Sequence, residues 1–554
     1  MKSRLRLLLA LPPLLFLGVF YFYPLASIFI TSFTPQSGGG TTAGLHRLVD
    51  SDYYAGILWF TTWQAALSTL LTLLAALPGA WVFARFDFPG KTLIQNLTAI
   101  PFVLPTVVTA AAFKALLGPG GLANRALMVL FDLNGPPIRI DQTVWFFLLA
   151  HVFYNYTVAL RIVGGFWARL PNDLFDAART LGASSRRVFL NVSLPLIMPA
   201  VLAAAMLVFI FCFTSFGVVL ILGGPRLATI EVEIYRQAVH LFNLPMAAAL
   251  SLVQMLFTFA LMGLYTTLER HCAVSLMPQA TASHRRPRTR PERLLIGANL
   301  AFMLLLLGTP LMALLLGSVL TETGPALTYY RALLENPTGS ILFVSPLAAM
   351  GNSLFFALVA TFIALFIGWF AAAFLVGSGT RRSTRILDPL FMLPLSTSAV
   401  TLGFGFIIAL DEPPLNLRTS IILPAIAHSL VAFPFVIRSL LPVWRSIPRH
   451  LREAAAMLGA SPLAVWRHVD WPILRRALVV GAIFAFAISM GEFGATVFVA
   501  RPQTPTLPVA IYRFLNQPGA LNFGRAMAMS CLLMLTTSAG FLFIETFRAR
   551  GDDF

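Results

Sequence analysis

Two histidines, His151 and His428, stand 277 positions apart in matching apolar stretches. An imidazole at such depth can touch a passing solute or exchange a proton, or it can sit satisfied between helices and fix their contacts. The second candidate for chemistry is Glu492, a carboxylate inside the apolar run 477–499. Charge there is costly unless it is paired or faces a water-filled cavity, so Glu492 either lines a pathway or accepts hydrogen bonds from a neighbouring helix and holds a gate's shape. It belongs to Gly491-Glu492-Phe493-Gly494, and 277 positions earlier the chain reads Thr214-Ser215-Phe216-Gly217. Small residues in both tetrads allow close helix approach or local unwinding. Ser215, Phe216, Gly217, Glu492, Phe493 and Gly494 are therefore the candidates for lining a pathway through the membrane.

Enzymatic chemistry finds less support. Gly90-Lys91-Thr92 is the nearest approach to a phosphate loop, but Arg85-Phe86 stands where a further glycine is required. The eight histidines and three cysteines show no zinc-ligand spacing. No Ser, His and acid set suggests a nucleophile, and no cluster of polar residues at one depth suggests a membrane-embedded enzyme. Cys212, Cys272 and Cys531 lie in apolar runs or at a helix end, so no external disulfide is expected. The chain is expected to hold no catalytic residue, no metal and no cofactor of its own.

The elements that position these residues are membrane helices. The 554 residues are 58% hydrophobic and 11% charged, and the mean hydropathy is +0.81. A spanning helix needs about 20 mostly apolar residues. Such runs lie near 6–30, 58–83, 95–117, 143–164, 196–222 and 245–268, and again near 295–318, 353–376, 386–409, 419–437, 477–499 and 526–547. The opening run is too long for a typical cleavable signal peptide and reads as a retained span. The net charge of +17 gathers in Arg161–Arg187, Arg270–Arg293 and Arg438–Arg476. With both termini in the cytoplasm, most Lys and Arg fall on the cytoplasmic side, the positive-inside pattern. These segments lack the architecture of a nucleic-acid interface, and their expected partner is membrane lipid.

An internal repeat organises the chain. His151, Arg161, Pro171, Gly182, Pro195, Phe216, Gly217 and Tyr235 recur 277 positions later as His428, Arg438, Pro448, Gly459, Pro472, Phe493, Gly494 and Tyr512. Earlier in each half the offset becomes 293, as Ile100-Pro101 faces Leu393-Pro394, because the loop Gly118–Asp141 is longer than Leu410–Arg418. Each half has six runs, so the copies share one orientation, and a parallel repeat places a pathway between them. The expected domains are a first transmembrane half, 1–270, a basic cytoplasmic linker, 271–293, and a second transmembrane half, 294–554.

Between the fourth and fifth runs the first half reads Asp176-Ala177-Ala178, three residues, Gly182, then nine more residues to Val192-Ser193-Leu194-Pro195 at its end. The second reads Glu453-Ala454-Ala455, three residues, Gly459, then on to Val469-Asp470-Trp471-Pro472. The acidic residue and paired alanines suit a short helix with a small face, and the glycine permits a sharp turn. This spacing resembles the EAA loop of permeases in binding-protein-dependent ABC importers. The resemblance implies an all-α membrane protein of about 12 helices in two parallel six-helix repeats, the type I importer permease fold. It implies that Asp176, Ala177, Ala178, Gly182 and Pro195, with Glu453, Ala454, Ala455, Gly459 and Pro472, form loops that couple to an ABC ATPase. Two ATPase copies would then consume ATP with Mg, and a periplasmic or lipid-anchored binding protein would deliver solute at a bacterial inner membrane. Asp176 in place of Glu, and Trp471 in place of Leu, depart from the family pattern without altering the spacing.

The fused double length is similar to permeases of the iron(III) and thiamine importers. Within that group the stretch from Cys212 through Val219-Leu220-Ile221-Leu222-Gly223-Gly224-Pro225 to Ile234-Tyr235 looks most like the thiamine members. The resemblance implies thiamine or its phosphate as solute, or ferric iron. The sharp motifs occupy 171–236 and 448–513. A rival from another class is an ion-gradient-driven secondary transporter, which can share the plan of two parallel six-helix halves.

Overall fold

A computed structural model describes residues 3–33, 48, 50–272, 285–321, 324–335, 342, 344–377, 382–411, 413 and 415–549. Among them, eleven helices are long and apolar enough to cross a membrane, and a bent pair can make a twelfth crossing. Spans 1 to 6 are Leu8–Ser32, Asp52–Arg85, Thr106–Phe131, Val144–Trp167, Arg186–Phe213 and Leu244–Thr267. Spans 7 to 12 are Arg290–Val319, Pro346–Gly377, the bent pair Leu387–Ser396 with Ala399–Ala409, Leu423–Ser446, Pro462–Gly491 and Ala520–Leu542. The expected all-α membrane fold is present, since helices satisfy their own backbone groups where lipid cannot. A two-residue strand pair, Leu320–Thr321 with Gly324–Pro325, lies in a loop.

Four of the expected runs are not continuous helices. The run 95–117 is divided into Lys91–Leu97, Ile100–Val103 and Thr106–Leu117. Pro105 forces Leu104 out of the helical region, to ψ 138°. In the second repeat the equivalent break bends span 9 by 96°. There Ser398 caps the new helix, accepting from Val400 N at 3.1 Å and Thr401 N at 3.4 Å. The run 196–222 stops at Phe213 and resumes as Gly217–Leu222, while 477–499 stops at Gly491 and resumes as Thr496–Val499.

Proline leaves a second mark. The π-helical turns Gly18–Phe22, Phe189–Ser193, Leu304–Gly308 and Trp466–Asp470 each run into a helix with Pro in its first two positions: Pro24, Pro195, Pro310 and Pro472. Proline lacks an N–H and clashes with the carbonyl four residues back, and a wider turn relieves both defects. Pro195 and Pro472 thus shape the entry to spans 5 and 11.

The helices group into two compact units that do not follow the repeat. One holds Met1–Arg47, Ile234–Leu252 and Leu327–Phe554; the other holds Leu48–Glu233 and Val253–Ala326. The first is built around spans 8, 10 and 11, and the second around spans 2, 4 and 5, the equivalent trio. Each repeat gives its opening helix to the unit made mostly of the other: span 1 packs on spans 8 and 9, and span 7 packs on spans 2 and 3. Glycine permits the tightest approaches, since a Cβ on Gly403 would lie 2.7 Å from Ala495 Cα. Linker residues 273–284 lie outside the described residues, and the helix Arg290–Met303 begins within the linker's last residues.

Candidate functional site

The two loops singled out by the repeat fold into elbows of the same conformation. A nine-residue helix, Asn172–Thr180 or Arg449–Met457, follows Pro171 or Pro448. It ends at a glycine in the left-handed region, Gly182 at φ +82° and Gly459 at φ +83°. Gly182 N donates to Arg179 O at 2.9 Å and Ala183 N to Ala178 O at 3.1 Å; Gly459 N donates to Ala456 O at 3.0 Å and Ala460 N to Ala455 O at 3.1 Å. These paired bonds satisfy carbonyls that a helix end leaves open, and only glycine adopts that backbone without strain. A side chain at either glycine would meet open space, so backbone conformation and not crowding demands glycine. Short helices Ser185–Val188 and Pro462–Val465 form the second arm, and the π turns carry it to Pro195 and Pro472.

The elbow helices are strongly one-sided. Asp176, Ala177, Glu453 and Ala454 are exposed, and Ala178 and Ala455 are half-buried. Asp176 pairs with Arg179 at 3.6 Å on the surface. Apolar tips stand out: Leu181 is 88% exposed, and Met457 and Leu458 are each 89% exposed. Apolar side chains so open to solvent make the tips a candidate surface for another protein. Leu181 and Leu458 open the run Leu-Gly-Ala-Ser that both copies share, and were not among the residues expected to dock a partner.

Different chemistry closes the two elbows. In the first, Phe175 packs with Leu170, Val188 and Ile197. In the second, the position of Phe175 is taken by Arg452, whose Nε donates to Asp470 Oδ1 at 2.7 Å. Trp471, the departure from the family pattern, joins an aromatic group with Trp466 at 5.6 Å and Trp369 at 6.3 Å between ring centroids.

Deeper in each unit, a histidine of the fourth or tenth span reaches the break after the fifth or eleventh. His151 Nδ1 and Ser68 Oγ are 2.9 Å apart, and His151 Nε2 and Ser215 Oγ are 2.8 Å apart. His428 Nδ1 lies 2.7 Å from Ser489 Oγ, and its Nε2 lies 2.8 Å from Thr496 Oγ1. Both rings are fully engaged at both nitrogens. Glu492 is buried, and its carboxylate accepts from Ala495 N at 2.8 Å, from Thr496 N at 2.9 Å and from the Thr496 hydroxyl. It caps the helix Thr496–Val499 as an N-terminal acceptor does. His428 Nε2 stands 3.4 Å from Glu492 Oε2. Ser215, Phe216, Gly217 and Phe493 are buried, and Gly494 is half-buried against Ala399.

The expectation that no polar cluster shares one depth is corrected here. Gln64 Nε2 donates to Cys212 O at 2.9 Å, and Asn155 Nδ2 donates to Cys212 Sγ at 3.4 Å, beside the Ser68, His151 and Ser215 chain. The stripe Thr61, Gln64, Ser68 and Thr72, at helical spacing in span 2, was its signal. The cluster contains no carboxylate, and His151 at its centre is held between the Ser68 and Ser215 hydroxyls. Among the described residues, no group of His, Cys, Asp or Glu is placed to hold a metal. Lys91, of the rejected phosphate loop, donates to Phe86 O at 2.9 Å.

Residues 53–274 match the family described as binding-protein-dependent transport system inner membrane component. Over 505 residues the chain is 28% identical to the thiamine transport system permease protein of Brucella abortus (strain 2308), covering 90% of this chain and 88% of that protein. It is 26% identical over 491 residues to the protein of the same name from Escherichia coli (strain K12), covering 87% of this chain and 88% of that one. For the Haemophilus influenzae protein of that name, identity is 25% over 516 residues, with 90% of each chain covered.

Proposed function

We propose that this chain is a permease of a binding-protein-dependent ABC importer, with both membrane halves in one polypeptide, and that it carries thiamine or a phosphate ester of it across a bacterial inner membrane. The observation that carries the transport mechanism is the pair of glycine-capped elbows with exposed apolar tips. Two elbows of one shape suit two copies of one ATPase. The solute follows from the relatives, whose names state thiamine transport.

In this reading Asp176, Ala177, Ala178 and Gly182 dock one ATPase subunit, and Glu453, Ala454, Ala455 and Gly459 dock the other. Nucleotide-site closure, with ATP and Mg held by the ATPases, pushes each elbow as a rigid body. The push passes through Pro195 and Pro472 into spans 5 and 11, whose far ends are the breaks at Thr214–Phe216 and Glu492–Ala495. Those breaks carry the pathway candidates, and His151 and His428 tie them to the neighbouring span. A gate built this way moves as a unit because Ser215, Glu492 and Thr496 are each tied by hydrogen bonds to their surroundings. Alternating access then follows from the elbows, while a periplasmic or lipid-anchored binding protein selects the solute. Both termini and both elbows face the cytoplasm, in line with the positive-inside bias.

The test is uptake of labelled thiamine into proteoliposomes containing this chain, its ATPase and its binding protein. Uptake that requires ATP and the binding protein is expected. Uptake by the chain alone, driven by an ion gradient, would overturn the proposal.

A further inference from the structure

Beside the first elbow lies a cavity of about 1000 Å³, wholly within the unit that holds spans 2, 4 and 5. Its apolar wall comes from Leu74, Leu77 and Trp81 of span 2, Ile197 of span 5, and Leu295 and Phe302 of span 7. Its rim carries Arg85, Arg179 and Arg285 against the carboxylate of Glu292. The cavity is thus aliphatic and aromatic in depth and cationic at one end.

The rim is held in place by main-chain bonds. Arg285 N donates to Arg85 O at 3.1 Å, and Asp87 N donates to Arg285 O at 3.0 Å. The Arg285 guanidinium lies 4.9 Å from the centre of the Phe86 ring and grips Glu292 at 2.5 and 3.3 Å. That pair commits the rim's carboxylate to Arg285. Asp176 pairs with Arg179 at 3.6 Å, and Arg85 lies within electrostatic reach of both guanidinium groups and both carboxylates. Three guanidinium groups thus face two carboxylates, and an anion seated among them would balance the remaining positive charge at Arg85.

The dimensions name the anion. From Leu74 to Arg85 the helix rises about 16 Å at 1.5 Å per residue, roughly half of a ~30 Å hydrocarbon core. A ligand with a negative head and an aliphatic tail one leaflet deep fits this shape, and basic pockets between membrane helices recognise lipid headgroups of that kind. We infer that the cavity binds an anionic phospholipid, with its phosphate among Arg85, Arg179 and Arg285 and one acyl chain along Leu74, Trp81 and Phe302. Seated there, the lipid ties the elbow helix that carries Arg179 to spans 2 and 7.

Native mass spectrometry of the full-length chain in detergent tests this, with phosphatidylglycerol, phosphatidylethanolamine and inorganic phosphate as separate probes. One phosphatidylglycerol is expected to stay bound in preference to phosphatidylethanolamine. The double variant Arg85→Gln/Arg179→Gln should weaken it roughly thirtyfold. Ala298→Trp, which fills the wall without touching charge, should also expel it, whereas Arg286→Gln, outside the cavity, should not. Equal retention by wild type and both cavity variants would overturn the site. Inorganic phosphate competing as well as the lipid would overturn the lipid as its occupant.

Discussion

Arg452 and Asp470 join the two arms of the second elbow through a 2.7 Å hydrogen bond, while the positions 277 residues earlier hold Phe175 and Ser193. One elbow is closed by charge and the other by an apolar cluster, although their backbones match turn for turn. The repeat therefore preserves a shape and not a set of contacts. Around Arg452 the equivalents of the first cluster are Ile447, Val465 and Leu474, all apolar.

Asp470→Ser alone should strand the Arg452 guanidinium and cost about 1 kcal/mol, the pair being partly exposed. The double variant Arg452→Phe/Asp470→Ser copies the first elbow and should recover most of that loss. Thermal unfolding of the purified chain reads both. A double variant less stable than the single one would show that the second elbow cannot accept the apolar closure.

Gly182→Ala and Gly459→Ala should each cost about 1–2 kcal/mol, because alanine resists the left-handed backbone. Valine should cost more for the same reason. The chain should still insert, since neither side chain would meet another atom, but the ATPase should co-purify poorly. Unchanged co-purification from both glycine variants would show that elbow shape is not what the ATPase reads.

Leu181→Ser and Leu458→Ser remove exposed methyl groups and should leave the melting temperature of the isolated chain unchanged, because surface changes of this kind fall within about 0.5 kcal/mol. ATPase binding should nonetheless weaken, as burial of a leucine on docking contributes roughly 1.5–3 kcal/mol. Pull-down of the ATPase against each variant separates the two effects. Loss of stability without loss of binding would assign these leucines to the fold.

Glu492→Gln keeps one oxygen for the turn but turns a donor toward the other Thr496 contacts, so a loss of about 1–2 kcal/mol is expected. Glu492→Ala leaves the Ala495 and Thr496 amides without their acceptor and should cost more. Transport should follow stability in that order. Glu492→Gln that is fully stable yet inactive would instead show that the charge itself acts on the solute.

Much of this was legible in the residues. The two elbows could be read because glycine at a left-handed cap and proline at a helix start are demands of the backbone, and they recur at a fixed offset. The helix breaks could be read as small-residue tetrads. The partners of the histidines could not: Ser68, Ser489 and Thr496 sit on different elements, and His151 finds its Nδ1 partner on span 2 while His428 finds its own on span 11. The role of Glu492 was also hidden, since a carboxylate capping its own following turn looks in sequence like one facing a pathway. Nor does the repeat reveal that spans 1 and 7 pack on the other repeat's helices, because lipid-facing leucines carry no record of which neighbour they meet.

The most direct measurement is cysteine cross-linking from both elbow tips. Leu181→Cys and Leu458→Cys would be placed singly in a chain whose native Cys212, Cys272 and Cys531 are replaced by Ser, then treated with a short bifunctional reagent in membranes containing the partner proteins. Each elbow should capture an ATP-hydrolysing subunit, and the yield should change when ATP is added. Capture of no ATPase at either elbow, from a chain that still moves its solute, would contradict the account.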